Sequence, residues 1–287
     1  MKRRFQVAHP DLNRGTRTFP CGQCFECLHQ KATGWVLRLE AEALQADSCA
    51  FLTLTYDDIF VPRTETNQLT LEPKDLTKWI KRLRYEIGKT PKPIKYYAVG
   101  EYGENTYRPH YHGIFFNLPV DYTKYHKDSD GNTHTLFDQS WYMGKTHIGT
   151  GTSKSFQYVA NYLQKKDVHK WNENDLRVPE FSRNSLGLGL SMVMNDDLSL
   201  TQMGLHLKKL TKGYVTKNGY KKPLPRYYRD KIFSRAELKK INWAQKKARE
   251  DSGRNRYSGN ATKEAEATNQ RYRNHLNKQK ENERYKI

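Results

Sequence analysis

His110 and His112 stand two apart in RPHYHGIFF, residues 108–116, a run whose aromatic and β-branched content predicts a strand. Side chains two apart on a strand share a face, so both imidazoles project one way and Tyr111 projects the other, into the core. Two imidazoles on one rigid strand supply half of a metal site; an ordinary pair of partly buried or surface histidines leaves the same pattern. A carboxylate is within reach. The strand-like run 94–101 is separated from this one by the eight residues YGENTYRP, a connection that fits an antiparallel hairpin in which Glu101 faces His110. Glu104 in the connection is the substitute if the register differs. Two imidazoles and one carboxylate leave positions open for water and substrate oxygens, which suits Mn²⁺ or Mg²⁺ engaging a phosphate.

Tyr158 and Tyr162 form a second pair, four apart in the helical pattern SKSFQYVANYLQKK. Residues at that spacing lie one turn apart on one helix face, with Cβ atoms about 5–6 Å apart. Lys165 and Lys166 follow on the next turn. A phenol oxygen can attack a phosphodiester and become covalently attached, dividing one hard displacement into two reversible ones. A metal that lowers the charge of the phosphate, and a lysine that helps deprotonate the phenol or stabilises the transition state, are what such a weak nucleophile needs. The plainer reading makes both tyrosines core residues of an amphipathic helix. A third cluster is Cys21, Cys24 and Cys27, spaced C-x2-C-x2-C. It suits a structural Zn²⁺ with Cys49 or His29 as fourth ligand. Reduced thiols with only a structural place compete with that reading, because the spacing lacks the second half of a standard finger or ribbon.

The elements that must hold these residues follow from periodicity. A helix is predicted from about residue 26 to 44, with Leu28, Trp35, Val36, Leu39 and Ala43 on its apolar side. A short strand spans 50–56. Pro73 opens a helix that carries Leu76, Ile80, Leu83 and Ile87 on one face and Lys78, Lys81, Arg82 and Arg84 on the other. Strands at 94–101 and 110–117, a weak helix at 136–142 and a short strand in KTHIGTGT come next. A helix capped at Ser153 or Ser155 ends the series. The order from residue 50 is β-α-β-β-α-β and then a helix, the order of a ferredoxin-like split β-α-β sandwich: an α+β fold with an antiparallel sheet, helical flanks and a basic C-terminal tail. Beyond Trp171, FSRNSLGLGL reads as a glycine-rich turn region and PLPRYYRDKIF as an extended segment. The expected organisation is an N-terminal basic segment with the cysteine cluster and a helix (1–49), a core domain (50–170), a C-terminal extension of it (171–230) and a helical or disordered basic tail (231–287). That tail holds 16 Lys and Arg against 7 Asp and Glu.

Charge narrows the partner. The 287 residues include 50 Lys and Arg against 31 Asp and Glu, a formal net charge of +19, which points to a polyanion. Nineteen Tyr and five Trp interleave with the cations and suit stacking on unpaired bases better than a lipid headgroup layer. A hydrophobic content of 36% and a mean hydropathy of −0.96 fit a compact core with polar flanks. No apolar run approaches a membrane span, so no membrane partner is expected. The basic N-terminus lacks the apolar segment of a signal peptide, which predicts a reducing cytoplasm and no disulfides.

FLTLTY, RPHYHGIFF and YVANYLQKK, in this order, resemble the three motifs of HUH rolling-circle replication initiators. The resemblance is to the initiators of microviruses in particular, the small single-stranded DNA phages, and to their gokushovirus branch. The cysteine cluster before a helix and the PRYYRDKIF segment look like that group too, and the likeness covers roughly residues 20–235. It implies an HUH endonuclease core at 50–170. The metal-holding pair would be His110 and His112, with Tyr111 in the variable slot and Glu101 as the acidic ligand. The paired nucleophiles would be Tyr158 and Tyr162, with Lys165 or Lys166 as auxiliary cation. Asn161 stands where relatives often carry lysine, which puts a cation at that spot in doubt. The implied activity is nicking of single-stranded origin DNA through a 5′-phosphotyrosine link. The free 3′-OH would be extended by a host polymerase in the host-cell cytoplasm, a host helicase would unwind, and the displaced strand would be rejoined. The alternatives are a non-catalytic zinc-containing nucleic-acid-binding protein and a basic packaging or structural phage protein.

Overall fold

The computed structural model describes residues 6–7, 17–18, 25–103, 105–165, 175–190, 214–217 and 220–251. Two short pairings at the N-terminus, β1 (Gln6–Val7) and β2 (Arg17–Thr18), precede α1 (Phe25–Ala43) and β3 (Cys49–Thr55). After α2 (Pro73–Ile87) come β4 (Lys95–Tyr102) and β5 (Pro109–Phe116), and then a small hairpin of β6 (His126–Lys127) and β7 (Thr133–His134). Next are α3 (Phe137–Ser140), β8 (Thr146–Thr150), α4 (Ser153–Lys165) and β9 (Phe181–Asn184). The hairpin β10 (Tyr214–Lys217) with β11 (Tyr220–Pro223) leads to α5 (Arg226–Ile232) and α6 (Arg235–Asp251). The protein is α+β. Five strands form one sheet in the order β8-β3-β5-β4-β9, and every neighbouring pair is antiparallel.

Alternation along the strands gives the sheet two different faces. Leu52 and Leu54 of β3, Ala98 and Tyr102 of β4, and Tyr111 and Phe115 of β5 pack with Leu76, Trp79, Ile80 and Leu83 of α2 and Phe137 of α3. Tyr97 and Val99 of β4 and Ile114 and Phe116 of β5 pack on the other side with Leu39 of α1 and Phe156, Val159 and Tyr162 of α4. Ala160 of α4 also packs with Ala32 and Val36 of α1, so α4 is held from two directions.

Local chemistry sets the helix ends. Pro73 stands at the start of α2, where its missing N–H costs nothing, and the Glu72 side chain accepts from the Lys74 amide. Gly88 ends α2 at a φ of 71°, donating to the Arg84 carbonyl. α4 is capped one residue earlier than its sequence suggests: Thr152 Oγ1 accepts from Ser155 N, and Ser155 Oγ accepts from Thr152 N, a reciprocal box.

Two segments differ from their sequence reading. FSRN is not a turn but β9, paired with β4 from Gly100↔Phe181 to Tyr97↔Asn184; the turn is confined to the glycines after it. RYYRDKI is not extended but α5, because Pro225 precedes a helix rather than ending one, and its carbonyl accepts from Tyr228 and Arg229. This C-terminal part is clasped to α1. Arg38 donates to the Leu188 carbonyl at 2.8 and 3.0 Å and lies between the rings of Trp35 and Tyr227. Glu42 accepts from Gly189 N and pairs with Lys95.

Residues from Phe233 onward belong to a second compact unit. Its helix α6 opens with Ser234 and Glu237 bonded to each other in a capping box. Among the described residues no helix is long and apolar enough to cross a membrane.

Candidate active site

β4 and β5 pair in the register that sets Glu101 directly opposite His110, with Val99 opposite His112. All three polar side chains therefore leave the sheet on the face that α4 covers. Glu101 Oε1 is 2.6 Å from His110 Nε2 and 3.0 Å from His112 Nε2. The carboxylate is 4% exposed, and its other oxygen, Oε2, is buried without a hydrogen-bond partner. Such an orphan is costly in a protein interior.

The far side of each imidazole is already engaged. His110 Nδ1 lies 3.0 Å from the Arg108 carbonyl, which can only accept, so Nδ1 carries the proton. His112 Nδ1 lies 2.8 Å from Thr53 Oγ1. Both Nε2 atoms are thus turned toward Glu101, as outer-shell partners do for ligating histidines. Ligand atoms from the three residues lie within 4.8 Å of one another, a group that can hold a metal ion. Two ligands each about 2.1 Å from an ion and about 90° apart stand about 3.0 Å from each other, the spacing found here. The donor set and the orphaned oxygen both fit a hard divalent cation.

Electrostatics agree with the geometry. Burial alone would raise the Glu101 carboxyl, but hydrogen bonds from the two histidines and their charges outweigh it and hold the group below its ordinary value. Burial alone would lower His110, but its bond to Glu101 and that carboxylate's charge carry it above its ordinary value. Without an ion, a proton on Nε2 is what lets it sit so close to the carboxylate.

α4 brings the two phenols to the same place in different ways. Tyr158 is half-buried, and its hydroxyl is 3.5 Å from His112 Nε2, a long contact at the edge of hydrogen bonding. Tyr162 is 7% exposed and stacks its ring on His112 with centroids 5.9 Å apart, as part of the core. The two phenol rings meet edge to face at 5.0 Å. Tyr111 points the opposite way, into the core, where its hydroxyl contacts Tyr56 and donates to the Glu72 carbonyl.

Lys165 is the last residue of α4, and Lys166 and Glu104 lie outside the described residues. Cys21 and Cys24 lie outside them too. Cys27 is in the first turn of α1 and Cys49 opens β3 beyond the other end of that helix, whose length separates those ends by about 24 Å. The structure therefore does not bring Cys49 to Cys27. Burial pushes the Cys49 thiol up to about 12, so it is protonated at neutral pH.

Three contributors escape a reading by motif. Thr53 orients His112, and Phe51 packs against both His112 and Tyr158. Their signal is the alternation in FLTLT, which sends Phe51, Thr53 and Thr55 to one face. Arg108 borders a cavity of about 340 Å³ that opens beside the histidines and is walled by Thr53, Thr55 and Thr106.

Residues 49–167 match the family model for the replication-associated protein ORF2, a segment that begins with β3 and contains the triad and both phenols. Over 223 residues the chain is 30% identical to "Replication-associated protein VP4" of Bdellovibrio phage phiMH2K, covering 74% of this chain and 66% of that protein. It is 34% identical over 199 residues to "Replication-associated protein ORF2" of Spiroplasma virus 4, covering 66% and 62%. It is 28% identical over 229 residues to "Replication-associated protein ORF4" of Chlamydia phage 1, covering 74% and 52%. The chain thus spans between about half and two thirds of the length of these relatives. No solved structure matches it.

Proposed function

We propose that this chain, which belongs through residues 49–167 to the family of the replication-associated protein ORF2, is a replication initiator that nicks single-stranded phage origin DNA with a tyrosine. The observation that carries the reading is the Tyr158 hydroxyl 3.5 Å from a triad nitrogen, beside a carboxylate oxygen with no partner. The strand order β8-β3-β5-β4, with both connecting helices α2 and α3 on one face, supports a ferredoxin-like HUH core.

Glu101, His110 and His112 would hold Mn²⁺ or Mg²⁺, which when bound withdraws charge from the scissile phosphate. The chain's own residues do the rest. Thr53 and the Arg108 carbonyl fix the imidazoles. Tyr158 Oη gives up its proton to solvent or to a nearby lysine and bonds to phosphorus, and the bond from phosphorus to the 3′ oxygen breaks. That oxygen takes a proton and becomes the 3′-OH that a host polymerase extends. The 5′ phosphate stays on the tyrosine with its bond energy retained, so attack by another hydroxyl rejoins the strand without ATP. Tyr162, one turn along, is the second phenol for the next cleavage. Duplex does not fit between α4 and the sheet, so the DNA enters unpaired, melted by a host helicase in the host cytoplasm.

The test is incubation with single-stranded origin DNA and Mn²⁺, followed by a denaturing gel. A covalent adduct is expected from the intact chain and none from Tyr158→Phe/Tyr162→Phe, while His110→Ala abolishes cleavage and keeps most charge-driven binding. Tyr158→Phe alone should remove more adduct than Tyr162→Phe. No adduct from the intact protein overturns the proposal, leaving a non-catalytic nucleic-acid-binding protein. Metal analysis of the purified protein tests the separate zinc reading of Cys21, Cys24 and Cys27.

A further inference from the structure

Three large apolar side chains stand exposed where β3 ends and β8 begins: Ile59 is 84% exposed, Phe60 40% and Tyr142 57%. Phe60 and Tyr142 meet edge to face with centroids 5.8 Å apart. Exposed aromatics grouped in this way are unusual on a protein surface and mark a place where something binds.

The group is rigid. Asp57 N donates to the Met143 carbonyl at 2.8 Å, and Trp141 Nε1 donates to the Thr55 carbonyl at 2.7 Å, which locks the two loops together. Phe60 N and Val61 N both donate to the Asp57 carbonyl, which closes the turn. The group is also cationic at its edge. Arg82 is fixed by two bonds to the Ser140 carbonyl, and its guanidinium carbon lies 5.0 Å from the centre of the Tyr142 ring. Lys145 is exposed in the same loop. The acidic Asp58 beside Ile59 is paired with Arg108 at 2.6 Å.

Arg108 joins this surface to the site. Its second guanidinium nitrogen donates to the Tyr56 carbonyl, and the same residue borders the cavity that holds His110 and His112. A strand leaving that cavity over the end of the sheet passes Arg108 and meets Phe60 and Tyr142.

We infer that Phe60 and Tyr142, edged by Arg82, form a stacking platform for unpaired bases of the DNA strand next to the nicked phosphate. The inference rests on the proposed nicking of single-stranded DNA. The favoured occupant is nucleic acid rather than protein because aromatic faces bordered by fixed cations suit a base and its phosphate together.

The test uses the full chain carrying Phe60→Ala and Tyr142→Ala together, and a second variant, Tyr142→Leu, that keeps apolar bulk and removes the aromatic face. Fluorescence anisotropy measures binding of a labelled short oligothymidylate and of an abasic strand of equal length at one ionic strength. The double variant should bind oligothymidylate about tenfold more weakly and the abasic strand as the unchanged protein does. Tyr142→Leu should lose part of the same preference, and Phe60→Trp/Tyr142→Trp should retain it. Unchanged affinity for oligothymidylate, or equal losses on both strands, overturns the platform. So does self-association that depends on Phe60 and Tyr142 while DNA affinity does not. Adduct formation at Tyr158 is scored separately: a chain that makes no adduct yet loses base-dependent affinity retains the platform and rejects the nicking reading, and the reverse pattern does the opposite.

Discussion

Glu101 is the residue on which the site converges, because one of its oxygens meets both imidazoles and the other meets nothing. Glu101→Gln removes the charge at nearly constant volume, so Mn²⁺ affinity should fall by about 100-fold or more, as measured by calorimetry. The direction of the pH dependence follows from His110. Its pKa is raised, so the proton is held to higher pH than on a free imidazole and competes with a cation below that point. Apparent Mn²⁺ affinity should therefore weaken as pH falls and level off above the raised pKa. Calorimetry in two buffers of different ionisation enthalpy should reveal proton release on binding; no release would mean that the metal does not displace the His110 proton. The histidines, Glu101 and the inward turn of Tyr111 were legible because a period of two and a short hairpin fix which side chains share a face. Thr53 was not, since its contact with His112 spans 59 residues and depends on the β3–β5 register.

At the scale of elements, the joint between β3 and β8 is the tightest place near the site. Gly144 backs directly onto the end of β3: an added methyl would collide with the Thr55 carbonyl oxygen and lie 2.8 Å from Asp57 N. These are backbone atoms and cannot swing aside, so Gly144→Ala should destabilise the fold by about 1–3 kcal/mol, read as a lower urea midpoint. An unchanged midpoint would show that the loop yields without strain. The long elements were legible from strong periodicity and clear ends, as in the start of α2 at Pro73. β9 was not, because it is a four-residue edge strand whose burial depends on β4, and α5 was hidden by a proline read as a breaker rather than as a start.

For the whole molecule, net charge decides how DNA is held. Residues 233–287 group with 211–213 as their own compact unit, and they carry much of the basic excess. A chain ending at Ile232 should keep Mn²⁺ binding and lose general DNA affinity, with a shallower slope of log affinity against log salt. An unchanged slope would place the phosphate contacts elsewhere. Composition made the polyanion partner legible; it carried no information about where one compact unit stops and the next begins, because that is a property of contacts.

The β4–β5 hairpin has a consequence in time as well as in space. Glu101 and His110 are only nine residues apart, whereas Tyr158 follows His112 by 46. A growing chain completes its ion-holding hairpin well before the helix with the phenols has been made, so the parts that bind and the part that cuts are assembled by separate events. In the finished protein the same division predicts that Mn²⁺ slows hydrogen exchange at the amides of β4 and β5 and leaves α4 exchanging as before. Equal slowing of α4 would instead show that docking of the phenol helix and capture of the ion are one event.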